Sequence, residues 1–461
     1  MPSLSGLLRA AGAIVTPLAC TGAFAITVEV GPDGRYATIQ AGIDAVVSAG
    51  GGDVLVESAY YPENPVLDID DIAVGVHGGY DAGFQPAGLP TLVALGDGNG
   101  DSWRVLTRGA HGHAFVGGFS LYGAAGHPGA YLQARDASYL SFQYNQVSDN
   151  HHDAVTQDYV YGGGIEAEAH DSAWVELVAD EVRDNSVSAR DYAFGGGVSL
   201  HAFDAGRITA EQLDVHDNAL TYAGQACYGA GLAALAGQYG AADVDLTDLT
   251  ISGNGESCGS QAVGHAGGLY AASADLAAPH GVHTNRIRIV GNTVSGSSGS
   301  SESVYLEARG GAIDFSDALV VGGNDRGLYA SDYRAPHFFV ENVTVARNGG
   351  AGLRLDGDVQ LTNTLSAQNG QPDQVQENWL VLRSLLGLTD ARFVDAAAGD
   401  YHLRADSPAI DAGTNFTPHG LQTADLDGHP RPYDGGVADG GCYESSYVRD
   451  RIFANGFETS P

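Results

Sequence analysis

The chain has no lysine: all 21 basic residues are arginine, against 41 aspartates and 15 glutamates, and the formal net charge is −35. A surface so poor in cations cannot gather phosphate contacts, so nucleic acid and anionic lipid headgroups are excluded as partners unless calcium bridges them. Cysteine is scarce too. None of the four lies in a CxxC pair, which argues against a structural zinc site. No segment beyond the N-terminus offers ~20 consecutive apolar residues, so no transmembrane span is expected. What is abundant is glycine, 66 of 461 positions. In a helix interior each would cost ~1 kcal/mol against alanine. With 44% hydrophobic residues to build a core, a turn-rich β architecture is the first inference.

Arg9, the apolar stretch Ala10–Ala19 and the A-x-A site Ala23-Phe24-Ala25 read as a secretory signal spanning residues 1–25. Pro17 stands where a lipoprotein signal before Cys20 normally has leucine, which argues against lipidation. The mature chain then carries 20 basic and 56 acidic residues, a net charge of −36, and three cysteines, enough for one bridge and a leftover thiol.

The strongest pattern is a repeat: an apolar period-2 segment ends in a small or acidic residue plus Asn, and a loop leads on to a glycine cluster. The asparagines are Asn150, Asn185, Asn218, Asn254 and Asn292, spaced by 35, 33, 36 and 38 residues, with shorter units of 24 and 21 from Asn324 to Asn369. Such periods mean a solenoid or a propeller. A 21-residue unit is too short for a four-stranded blade but holds one coil of three short strands. The expected fold is therefore all-β, a right-handed single-stranded parallel β-helix of about nine to eleven coils. Equivalent residues would stack ~4.8 Å apart, each Asn taking a left-handed turn and bonding its neighbours in a ladder. Ile39, Ile43, Val46 and Val47 at helical spacing before Gly50-Gly51-Gly52 predict a short capping helix.

Units longer than 21 residues carry their surplus between Asn and glycine cluster, so the extra loops form a ridge on one side. Cys227 and Cys258 fall in neighbouring loops of this series, which makes a disulfide between them geometrically feasible. Tyr159, Tyr161, Tyr192, Tyr222 and Tyr228 on the ridge are candidates for a platform that stacks sugar rings, or for rings that stack on one another. Asp149, His152 and Asp153 open the first long loop as a candidate catalytic set, since His beside carboxylates can shuttle protons near neutral pH; a polar turn is the competing reading. Asp97, Asn99 and Asp101 alternate as oxygen donors and are the candidate calcium loop, although Ser102 and Arg108 exclude an EF-hand. Asp425 and Asp427 are a weaker second candidate. Calcium is the one cofactor suggested.

The segment Tyr36-Ala37-Thr38-Ile39-Gln40, followed by Gly52-Asp53-Val54-Leu55-Val56 and Tyr61-Pro62-Glu63, resembles the opening of pectin lyase-like right-handed parallel β-helix proteins. Ser407-Pro408-Ala409-Ile410-Asp411-Ala412-Gly413, Asp425-Leu426-Asp427-Gly428-His429-Pro430-Arg431 and Asp439-Gly440-Gly441-Cys442-Tyr443-Glu444 are similar to the closing segment of secreted bacterial choice-of-anchor Q proteins, which overlap with polymorphic outer-membrane-protein-type repeats; cysteine here replaces the usual alanine. The resemblance implies a secreted or cell-surface location and supports chemistry far less. It divides the chain into a signal peptide (1–25), an N-terminal strand and capping helix (26–53), the β-helix (54–370), a C-terminal closing segment (371–446) and a tail (447–461). The aspartate pairs, Gly-His-Gly and Arg-x-Lys of polygalacturonase-like hydrolases are missing, and Arg286-Ile287-Arg288 is the nearest approach to a lyase base. The expectation is a monomeric, non-catalytic display of the ridge to a polysaccharide or cell-surface partner. The alternative is a uronan lyase, epimerase or glycoside hydrolase on the same scaffold.

Overall fold

A computed structural model of the protein describes residues 26–32, 34–96, 102–259, 262–276, 279–295, 301–333, 337–375 and 381–447. The expected signal peptide and the loop of Asp97, Asn99 and Asp101 lie outside the described residues, as does all but the first residue of the tail.

The chain is a parallel β-helix. One coil runs through Ile165–Ala169 on a first face, Trp174–Val178 on a second and Glu181–Arg183 on a third, then crosses an arm to begin the next coil at Val198–Ala202. The first face is a ten-stranded parallel sheet, and the other two join in a 23-stranded sheet. Ten strands agree with the nine to eleven coils expected. Alternation within each strand puts one row inward, so that Val175, Ile208, Val244, Val282 and Ile313 stack rung on rung and are fully buried. The helix Ile39–Ser48 closes the N-terminal end by burying Ile39, Ile43 and Val46. Thr38 Oγ1 caps it by accepting from Ala41 N at 3.1 Å, and the Glu63 carboxylate accepts from Ile39 N and Gln40 N at 2.7 and 3.1 Å.

The left-handed position of the Asn corner is not the asparagine. Asp149, Asp184, Asp217, Gly253 and Gly291 take it, with φ of 55, 55, 55, 64 and 65°, and each Asn follows, buried. The reason is the division of labour that the corner needs. Asp and Gly tolerate positive φ at the surface, which frees the next side chain to turn inward. There Asn150, Asn185 and Asn218 each donate Nδ2 to the Oδ1 of the next, at 2.9, 2.9 and 3.0 Å, and Asn254 continues to Asn292 at 2.9 Å. Another corner uses Asp136, Asp171 and Asp204, also at positive φ, with Asp136 N donating to Asp171 Oδ2 at 3.1 Å. Much of the aspartate excess is this turn chemistry. Accordingly, Asp184→Gly should leave stability nearly unchanged, whereas Asp184→Val should cost ~1–2 kcal/mol, the penalty for a bulky residue in that conformation. Asp184 is exposed, and its contact with Arg183 is worth little. Equal urea midpoints for the two variants would contradict this.

The loops are not a protruding ridge. They form two further parallel sheets, one of His151–Ala154, Ser186–Ala189, Ala219–Tyr222, Gly255–Ser257 and Thr293–Ser295, the other of Tyr159–Tyr161, Tyr192–Phe194, Ala226–Tyr228 and Val263–His265. Between them lies a second core that includes Val160, Val187, Leu220 and Cys227. Cys227 and Cys258 are joined in it, their Cα atoms 6.3 Å apart. The layer rests on the first face, Tyr161 packing edge-on against His201 at 4.4 Å.

At the other end, Leu426, Cys442 and Tyr443 pack against Leu319, Val321 and Leu365 on the outer wall of the last rungs. Buried Arg431 anchors this segment by donating to Asp317 Oδ1 at 2.6 Å. Among the described residues no helix is long and apolar enough to cross a membrane.

Candidate functional site: a carboxylate and histidine cleft

The set Asp149, His152 and Asp153 does not converge. Asp149 occupies the exposed corner. Strand alternation then sends His152 inward, where Nδ1 lies 2.9 and 3.0 Å from the Tyr161 and Gly162 carbonyls, and Asp153 outward, where it accepts from Ser188 Oγ at 2.7 Å. Burial holds the His152 imidazole below its ordinary pKa. Its place is structural.

The tyrosines separate in the same way. Tyr159 is exposed (53%) and stacks on Tyr192 with ring centroids 4.9 Å apart and planes 11° from parallel. Tyr161 and Tyr228 flank Phe194 in a half-buried row, with centroids 5.0 and 4.8 Å apart. Tyr222 is exposed on the other arm sheet. Asp425 does not suit calcium: Oδ1 accepts from Asp427 N and His429 N at 3.0 and 2.7 Å, and Oδ2 from Glu444 N at 2.9 Å. Its lone pairs are committed to backbone amides. Asp427 meets Arg288 and His402 instead. Arg286 is committed as well, Nε donating to Asp248 Oδ1 at 2.6 Å.

The second face carries a better constellation, about 270 Å³ in volume and open to solvent. Asp245, His283 and Asp314 are register partners on three successive rungs, all outward. Glu341 comes from the next rung, opposite Ser316. The C-terminal segment walls the cleft with Gln422 and with His419, whose ring packs edge-on against Phe339 at 4.1 Å.

Its electrostatics are polarised. His283 Nδ1 lies 2.7 Å from Asp314 Oδ2 and its Nε2 lies 3.5 Å from Asp243 Oδ1; burial opposes its charge, but the two carboxylates prevail and its pKa is pushed up to about 10. Glu341 goes the other way. Burial, with the charges of Asp314 and Asp317 added, pushes its carboxyl up to about 7, against the Thr417 hydroxyl and the His419 amide, which favour its charged form. A carboxylate hydrogen-bonded to a cationic histidine thus lies one rung from a carboxyl that keeps its proton near neutrality, the division of roles that acid–base catalysis needs. Glu341 Oε1 and Asn285 Oδ1 are buried acceptors with no donor. Within the cleft lining there is no arginine.

Sequence reasoning missed this site because its parts are 27 to 38 residues apart along the solenoid and complete only when a segment about a hundred residues further on folds back. The available signal was an outward Asp or His at one strand position in consecutive repeats.

No family model matches the chain, and no curated protein matches it. Among solved structures it is similar to the pectate lyase Pel9A, at 12% identity and a TM-score of 0.44 over 91% of this chain and 97% of that one. At that level the likeness bears on neither activity nor substrate.

Proposed function

We propose that the protein is a glycan-active parallel β-helix that hydrolyses a neutral polysaccharide in the cleft of the second face. The observation that carries this reading is the pairing of Glu341, whose proton is retained to about pH 7, with Asp314 on the adjacent rung. Glu341 gives its proton to the glycosidic oxygen as the bond to the anomeric carbon breaks. Asp314 takes the proton from the water that forms the new bond. The unpaired acceptors Glu341 Oε1 and Asn285 Oδ1 call for donors, which sugar hydroxyls supply. A uronan would instead set its carboxylates against Asp245 and Asp314 with no arginine in the lining, and the one cationic side chain there, His283, is already held by Asp243 and Asp314.

The rate should therefore fall as pH rises through about 7, because Glu341 then loses the proton it must give. Asp314, Asp317, Asp245, His283 and His419 face or flank it; His283 keeps its proton to about pH 10 and burial holds His419 below the ordinary histidine range, so a loss of rate near pH 7 belongs to Glu341. Release of reducing ends that stays constant from pH 6 to pH 9 would count against Glu341 as the acid.

A second reading, glycan or cell-surface display without turnover, draws support from exposed Tyr159 stacked on half-buried Tyr192. Both readings suit a secreted or surface-attached bacterial protein related to the choice-of-anchor Q type, and a disulfide suits an oxidising compartment. If Tyr159 and Tyr192 only hold substrate, replacing both with alanine should weaken polysaccharide binding and leave the pH dependence of turnover in place.

A further inference from the structure

The second core contains a carboxylate that its own row does not explain. His152, Val187, Leu220, Glu256 and Val294 are register partners on the five rungs of this arm sheet; His152 at the first rung meets the Tyr161 and Gly162 carbonyls, and Glu256 is the acid of the row. Glu256 is 1% exposed, and neither of its oxygens has a side-chain hydrogen-bond partner, the His265 backbone amide being the one group that favours its charged form. Leaving a buried acid unpaired is costly, and the rungs on either side of Glu256 offer it only Leu220 and Val294. The acid falls beside the only two cysteines of the arms: a Glu256 oxygen and the Sγ atoms of Cys227 and Cys258 all lie within 4.8 Å of one another, and all three residues are buried. The cation-bearing groups nearby are already engaged, His265 Nδ1 and Arg326 Nη1 lying 3.2 and 3.1 Å from the Glu302 carboxylate.

We infer that this corner is a redox-gated metal site, in which the reduced Cys227 and Cys258 thiolates and the Glu256 carboxylate bind one zinc-class cation. Two thiolates and one carboxylate, Cys227 from one coil and Glu256 with Cys258 from the next, are a borderline-soft donor set, and a tetrahedral ion would keep its fourth position for water. The two cysteines come from adjacent rungs, 31 residues apart, which is why no CxxC spacing announces them. The exchange balances. A dithiol reductant supplies two electrons and two protons, breaking the Cys227–Cys258 bond and leaving as its own disulfide. The cation then displaces the two thiol protons and the Glu256 proton as two metal–sulfur bonds and one metal–oxygen bond form. In the oxidised state the sulfurs are spent on each other and Glu256 is left as a neutral buried acid, burial raising its pKa and the Glu302 charge adding to the shift.

The test uses the full chain with Cys20→Ala and Cys442→Ala, produced under reducing conditions and titrated with cobalt(II) as the spectroscopic probe. The expected result is one cobalt per chain with a thiolate-to-metal charge-transfer band, a Kd raised at least tenfold in Glu256→Gln, and expulsion of the ion when an oxidant closes the bridge. A protein that emerges bridged or as a metal-free dithiol at stoichiometric cobalt overturns the proposal, and this outcome is read on the chain with Glu256 intact. An unchanged Kd in folded Glu256→Gln overturns the role of the carboxylate. None of this depends on the cleft.

Discussion

Glu341→Gln is expected to lower turnover on a neutral glycan by ~10²–10⁴-fold, the usual contribution of a positioned proton donor. Glutamine keeps the shape and polarity but has no proton to give. Fold stability supplies the control, and its sign follows from the raised pKa. The folded protein holds the Glu341 proton up to about pH 7, above the range of an exposed carboxyl, so this group's stabilisation is fully present below the ordinary glutamate range and is lost as pH rises through about 7. Glutamine cannot ionise. The variant should therefore match the parent at pH 5 and melt no lower at pH 8. Loss of activity with a lower melting temperature at both pH values would mean that Glu341 is structural. Asp314→Asn should differ, because it removes a partner of cationic His283 and so costs stability together with activity.

The second large effect is expected in the asparagine ladder. Asn218 Oδ1 accepts from Asn185 N and Nδ2 at 3.0 and 2.9 Å, while its Nδ2 donates to Val182 O and Asn254 Oδ1 at 2.8 and 3.0 Å. Asn218→Ala strips several buried groups at once, and each unsatisfied group costs ~1–3 kcal/mol, so a loss of about 3–5 kcal/mol is expected. Asn324 gives the comparison. The ladder bypasses it, Gly323 N taking the rung to Asn348 Oδ1, and among the described residues its side chain bonds Val294 N and O. Asn324→Ala should cost about 1–2 kcal/mol. Denaturant unfolding of the two variants measures the contrast; equal losses would remove the ladder as a principal source of cohesion.

These two predictions differ in how far the sequence announced them. The asparagines are legible because a solenoid repeats one environment, and a side chain that must bond its own copy recurs at the coil period. The corner was read one residue late, since the preceding Asp or Gly carries the positive φ and only the pair together makes the turn. The arms read as loops because strands of three or four residues rich in Ser, Ala and Tyr show little alternation. His152 was misplaced for a related reason: adjacent strand residues point to opposite faces, so neighbours in sequence are separated in space. Asp314 and Glu341 illustrate the reverse, since each looks like an ordinary outward acid until the register sets them on adjacent rungs and Arg431 draws the C-terminal segment across.

The central claim is that the cleft hydrolyses a neutral glycan, and the most direct measurement is product analysis on a panel of neutral polysaccharides and uronans, with parent and Glu341→Gln proteins side by side. The account predicts new reducing ends from at least one neutral polysaccharide, none carrying the ultraviolet absorbance of an unsaturated uronate, and their disappearance with Glu341→Gln. Unsaturated products from a uronan, or turnover that survives Glu341→Gln, would contradict it.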